Sequence, residues 1–168
     1  NQRVAPHPTE PDTIYLATSG RLYKSTNGGL SWASPTLTGV GESPSAFEIN
    51  AAAPSEMLLG YRSNGVYRSN DGGSTWSSIN GSQPFRQNHV EALAITPEAS
   101  PTIATSFRPE ADGFVVKFNS ALTSAVYATY LGGSSSDSPG GIAVDGTGAA
   151  YVTGRTLSAN FPTQNAFQ

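Results

Sequence analysis

The chain contains no cysteine, one methionine and only 12% charged residues. Disulfide staples and thiolate sites are thereby excluded, and the redox compartment is left open. No run approaches the ~20 consecutive apolar residues that a membrane-crossing helix needs. Positive charge is not in excess either: 9 Lys and Arg stand against 12 Asp and Glu, for a net charge of −3. There is no basic field to attract nucleic acid. Long amphipathic helical patterns are missing too. The chain opens at Asn1 without Met, a basic n-region or an apolar h-region, so no signal peptide is expected and a processed or excised chain is.

What is abundant points to strands and turns. Within 168 residues there are 18 Gly, 12 Pro and 7 Tyr, together with many Ser and Thr, which reads as an all-β domain. Few Lys among many Ser, Thr, Asn and Gly suit a secreted bacterial protein, so the expected location is extracellular, cell surface or periplasmic.

Two stretches fit the pattern S-x-[DN]-x-G-x-x-W. They are Ser25-Thr26-Asn27-Gly28-Gly29-Leu30-Ser31-Trp32 and Ser69-Asn70-Asp71-Gly72-Gly73-Ser74-Thr75-Trp76, each following a short apolar strand. Asn27 or Asp71 is expected to accept hydrogen bonds from N–H groups two residues on. The paired glycines supply the positive φ that a tight hairpin needs. Trp32 and Trp76 are expected to plug the base of the hairpin, each with a polar N–H to place. The predicted structural set is Ser25, Asn27, Gly29, Trp32, Ser69, Asp71, Gly73 and Trp76. Nothing in it performs a reaction.

Trp32 and Trp76 lie 44 positions apart, the length of one four-stranded blade in a repeat of ~40–50 residues. The order strand, Pro-rich turn, strand occurs before each turn motif and a third time across Val90–Thr96 and Thr102–Ala104. These observations resolve the chain into a single partial β-propeller. Blade 1 covers 1–44, blade 2 covers 45–88, blade 3 covers 89–133, and half of a fourth covers 134–168. Alternation in Phe114/Val116/Phe118 and Val126/Ala128/Tyr130 marks the outer strands of blade 3. Asp145-Gly146-Thr147-Gly148 reads as the hairpin turn of the half blade. Propellers close radially with ~4–8 blades, so three and a half leave an open strand edge and unpartnered faces. A fragment of a longer propeller is expected, or a partner that supplies the rest.

The two turn motifs resemble the Asp-box (BNR) repeat of sialidase, sortilin-type, xyloglucan hydrolase and photosystem assembly propellers, with Asn27 standing where the family usually has Asp. That resemblance implies a blade-periphery position away from any active site, and a somewhat weaker corner at Asn27. From Asp112 onward the text resembles a second family, the bacterial SBBP propeller repeat. Its phrases are matched by Phe114-Val115-Val116-Lys117-Phe118-Asn119, Thr129-Tyr130-Leu131-Gly132-Gly133, Gly141-Ile142-Ala143-Val144-Asp145, Ala150-Tyr151-Val152-Thr153-Gly154 and Asn160-Phe161-Pro162-Thr163.

Other chemistry-bearing residues are sparse. His7 and His89 are the only imidazoles and lack convergent ligands, so no metal is expected. Asp71, Asp137, Asp145 and Glu110-Ala111-Asp112 do not form a D-x-[DN]-x-[DN]-G calcium run. Phe107-Arg108-Pro109 is faintly similar to the sialidase arginine motif, but Arg108 follows both turn motifs instead of preceding them. Arg3, Arg21, Arg62, Arg68, Arg86 and Arg155 remain, and Arg68, like Lys24, reads as a solvated strand residue. Of the tyrosines Tyr15, Tyr23, Tyr61, Tyr67, Tyr127, Tyr130 and Tyr151, most are expected between blades and a few at a contact surface. The expected function is a non-catalytic binding or scaffold module without cofactor. Its expected partner is a protein or a possible glycan, with no nucleic acid and no membrane span. One alternative is an accessory subunit of a larger complex or filament whose partner completes the propeller. A second is a piece of an Asp-box glycoside hydrolase with a sialidase- or xyloglucanase-like activity, which needs two carboxylates facing each other across ~5–9.5 Å.

Overall fold

A computed structural model describes residues 3–18, 21–34, 44–79, 89–95, 102–106, 112–119 and 124–164. Among them there are strands and turns and no helix. Four antiparallel sheets follow one another along the chain. The first holds β1 (Arg3–Pro6), β2 (Ile14–Ala17) and β3 (Leu22–Ser25). The second holds β4 (Pro44–Ile49), β5 (Met57–Tyr61), β6 (Gly65–Ser69) and the two-residue β7 (Ser77–Ser78). The third holds β8 (His89–Ala94), β9 (Thr102–Ser106), β10 (Gly113–Phe118) and β11 (Ala125–Leu131). The last pairs β12 (Asp137–Val144) with β13 (Ala150–Thr156). In every sheet the spatial order of strands is their order in the chain, so each connection is a local hairpin.

Among the described residues, the outer strands of the first two sheets are shorter than the repeat predicts. In the first sheet the fourth position is a single bridge from Lys24 to Ala33, and in the second it is Tyr67–Arg68 against Ser77–Ser78. Ser77 and Ser78 are polar and exposed, with little to bury at the rim.

Packing energy lies between sheets. Tyr15, Ala17 and Leu22 from the first sheet meet Phe47, Met57, Leu59, Tyr61 and Trp76 from the second. On the other face of the second sheet Ala46, Leu58 and Val66 meet Val90, Leu93, Phe114, Val116 and Phe118. Period-2 alternation assigns these faces, Leu58 pointing one way and Met57 and Leu59 the other. A strand buried on both faces reads as an unbroken apolar run, and all five residues of β5 are buried.

The last sheet lies against the third. β12 packs on β8 and β9, and the Pro139 ring occupies the space where a side chain on Gly113 would be. A bulge between Pro139 and Gly141 breaks the β12–β13 register, re-aiming the strand at this seat.

Gly60 is the tightest point between the second and third sheets, because a Cβ there would overlap the Val90 side chain. Gly60→Ala is expected to cost about 1–3 kcal/mol of stability through overpacking. Thermal or urea unfolding measures it. Adding Val90→Ala should relieve the clash, so the double variant loses less than the two single losses together.

Candidate functional site

The two turn motifs form the same hydrogen-bonded corner. In the second, Ser69 is buried at 1% exposure; its Oγ accepts from the Asp71 N–H at 3.3 Å and the Gly73 N–H at 2.9 Å and donates to Asp71 Oδ1 at 2.7 Å. Asp71 Oδ1 then accepts from the Thr75 N–H at 2.8 Å, and Oδ2 accepts from the Thr75 hydroxyl at 2.6 Å. Gly72 and Gly73, at φ 67° and 85°, turn the chain back beneath the carboxylate. The acceptor therefore reaches the N–H four residues on, not two. The serine hydroxyl serves the N–H two residues ahead of it.

The first corner repeats this with an amide. Ser25 Oγ accepts from the Asn27 and Gly29 N–H groups, and Asn27 Oδ1 accepts from the Ser31 N–H at 2.9 Å. Asn27 Nδ2 donates to Ser31 Oγ at 2.8 Å, where Asp71 accepts from Thr75. Both corners are tied to the preceding hairpin, Gly28 N–H to the Asp12 carbonyl at 2.9 Å and Gly72 N–H to the Ser55 carbonyl at 3.0 Å.

The tryptophans share one bond and differ in environment. Trp32 Nε1 donates to the Gly29 carbonyl and Trp76 Nε1 to the Gly73 carbonyl, each at 3.0 Å. Trp76 is 8% exposed because the first sheet covers it, whereas Trp32 is 40% exposed. The Tyr15 hydroxyl crosses between sheets to donate to the Gly72 carbonyl at 3.2 Å. That inter-sheet bond was not legible in the motif, since its donor lies 57 residues away.

Other acidic residues are also turn braces. Asp145 Oδ1 accepts from the Thr147 and Ala149 N–H groups and the Thr147 hydroxyl, and Oδ2 accepts from the Tyr151 hydroxyl at 3.0 Å. Bonds led by those from Thr147 and Ala149 draw its carboxyl down to about 2. Asp137 Oδ2 accepts from the Gly133 N–H and the Ser158 hydroxyl, each at 2.7 Å. Burial opposes ionisation of Asp137, but hydrogen bonds led by Thr156 and Ser158 outweigh it and hold the carboxyl below its ordinary range. Asn160 Oδ1 caps the same loop, accepting from the Ser134 N–H at 2.9 Å. Beside this clasp lies an open cleft of 220 Å³ lined by Leu131, Pro139, Thr153, Arg155 and Phe161 among others.

The remaining candidates are scattered. His7 Nδ1 accepts from the Glu10 N–H at 3.1 Å inside its own turn. Arg68 is ion-paired with Glu56 at 2.7 Å, a partner that strand position alone did not reveal. Glu56 also accepts from Asn50 Nδ2 at 2.8 Å. Glu48 escaped sequence reasoning too: burial pushes its carboxyl up, and the Arg3 charge partly offsets this. The His89 side chain, Arg86 and the Phe107-Arg108-Pro109 and Glu110-Ala111 stretches lie outside the described residues. Among the described residues no three His, Asp or Glu are placed to hold a metal ion. No described helix is long and apolar enough to cross a membrane. Tyr15 and Tyr61 are buried in the core, while Tyr127, Tyr130 and Tyr151 are exposed.

Stacked, locally connected antiparallel sheets, the first three joined by shared apolar cores, define a β-propeller, here an incomplete one. Residues 126–162 match the β-propeller repeat family SBBP. No curated protein matches the chain. Among solved structures, the chain is similar to the Niastella koreensis GH74 enzyme at 24% identity and TM-score 0.67, over 86% of this chain and 23% of that one. It is similar to the GH74 xyloglucanase of Xanthomonas campestris at 19% identity and TM-score 0.64, over 85% of this chain and 24% of that one. YCF48 bound to D1 peptide shares 14% identity at TM-score 0.54, over 84% of this chain and 42% of that one. The chain thus spans about a quarter of the length of the GH74 structures it matches.

The Asp71 corner carries a pH signature. Hydrogen bonds from the Thr75 side chain and N–H, then Ser69, draw its carboxyl from 3.8 to about 2. A carboxyl depressed in the folded state adds stability above its unfolded pKa and loses it as pH falls through the folded value. Melting temperature is therefore expected to fall between pH 3.8 and about 2. Asp71→Asn should melt lower at neutral pH and lose less on acidification, as followed by circular dichroism. An unchanged acid slope in the variant contradicts this assignment.

Proposed function

We propose that this chain is a non-catalytic propeller module of a secreted, cell-surface or periplasmic bacterial protein, and that its two corners are Asp-box repeats. Its blade-tip loops make contacts with a protein or a glycan. The observation that carries this reading is the employment of the carboxylates. Asp71, Asp137 and Asp145 each brace backbone N–H groups of their own loops, and Glu56 is spent on Arg68 and Asn50. Glycoside hydrolysis needs two carboxyl groups opposed across a substrate, and braces of this kind are poorly disposed for it. The resemblance to a propeller that holds D1 peptide supports protein contact as the use of the fold. Fold alone does not fix activity.

The competing reading, a portion of a glycoside hydrolase, draws on the GH74 structures. Incubating the chain with xyloglucan and with sialosides decides between them. No new reducing ends and no free sialic acid are expected, while a peptide or glycan array is expected to show saturable binding that leaves the probe unaltered. Sugar release that disappears when a pair of carboxylates is mutated would overturn the non-catalytic reading.

A further inference from the structure

The three outer strands of the first three sheets are not alike. The first sheet ends on a single bridge and the second on the two-residue β7. In the third, β11 runs the length of β10, from Leu131 opposite Gly113 to Ala125 opposite Phe118. β11 also ends the spatial order of its sheet, with β12 and β13 following it in the chain. One side of its backbone pairs with β10, and among the described residues no strand pairs with the other. Outward N–H and C=O groups of this kind are a template for a further strand.

Folded proteins blunt such an edge by shortening it or by placing charge or proline on it. β11 holds no charged residue and no proline. Its one irregularity is the extra residue Val126, between Tyr127 opposite Lys117 and Ala125 opposite Phe118. The side chains are open as well. Tyr130 lies opposite Phe114 and Ala128 opposite Val116, on the face that carries the core shared with the second sheet. Even so, Val126 is 61% exposed and Tyr130 74%. Tyr127, on the other face, is 40% exposed.

The strand is complementary to itself in antiparallel pairing. Setting Ala128 opposite its own copy places Val126 opposite Tyr130 and Tyr127 opposite Thr129, each pair occurring twice. An aromatic side chain against a β-branched one is a favourable cross-strand combination, and no charge meets a like charge. Any extended peptide offers the edge its backbone groups. The strand's own copy offers matched side chains too.

We propose that the chain dimerises edge to edge, β11 pairing antiparallel with β11 of a second copy about a two-fold axis at Ala128. The two third sheets then become one continuous sheet across the axis. The same patch serves both partners, so the contact closes at two copies. This goes beyond the module reading above by adding a second copy to its partners. Its test reads mass and cross-linking, so its failure leaves the binding and hydrolysis results untouched.

The chain has no cysteine, so a single introduced thiol reports the register. In Ala128→Cys the two thiols face each other across the axis, with Cα atoms about 4.5–5.5 Å apart, within reach of a disulfide. Ser124→Cys, also at an exposed position, holds its thiols about 26 Å apart at opposite ends of the paired strands. On air oxidation Ala128→Cys is expected to run as a covalent dimer on a non-reducing gel, and Ser124→Cys as a monomer. In sedimentation velocity the unaltered chain should rise from the mass of one copy to that of two with concentration, and stop there. Ala128→Lys sets like charges opposite each other and should abolish the rise, with circular dichroism confirming the fold, because Ala128 is exposed in the single copy. A monomer at every concentration overturns the proposal. So does cross-linking as fast at position 124 as at 128, or association unchanged by Ala128→Lys, since either puts the contact elsewhere.

Discussion

A sheet with two apolar faces is stable only when something lies against both of them. The second sheet meets that condition, with Tyr15 and Trp76 on one side and Val90, Phe114 and Val116 on the other. Much else follows from the spacing between sheets. Gly60 is glycine because Val90 comes so close, and Gly113 because Pro139 does. The second corner matters to this stacking through Trp76 and through the Gly72 carbonyl, which accepts from the Tyr15 hydroxyl. Hydrogen bonds within each sheet set the strands in register, while apolar area between sheets supplies most of the stabilisation.

The two corners show one physical problem solved with different side chains. A buried serine hydroxyl and a neighbouring acceptor satisfy the N–H groups that the glycine pair exposes. Asp71 does this as an anion and Asn27 as a neutral amide that also donates to Ser31. The amide has one acceptor oxygen where the carboxylate has two, so the corner forms without the charge but not without the oxygen at Oδ1. In both corners the acceptor side chain braces its own turn.

Much of this arrangement could be read from the residues. Glycine pairs, the spaced tryptophans and the alternation of Phe114, Val116 and Phe118 act over a few residues, and local signals of that range are legible. Hidden features were those whose partners lie far along the chain. Asp137 looks like a candidate oxygen ligand until Ser158, 21 residues later, is seen bonded to it. Trp32 and Trp76 are identical in motif, yet only contact with a neighbouring sheet distinguishes them. The short outer strands of the first two sheets were not apparent either, because the 44-residue spacing sets the length of a repeat and is silent on how much of it enters the ladder.

The unbroken sequence of local hairpins, described above as strand order matching chain order, also governs how the molecule can assemble in time. Closing a short loop costs little chain entropy, and topologies dominated by such contacts fold faster than those that must join distant segments. Each sheet needs only its immediate predecessor to bury its first face, so order can spread along the polypeptide as a zipper does, in a nearly one-dimensional way. A chain of this design can emerge from a ribosome and become ordered one sheet at a time, each new sheet covering the open face of the one before it.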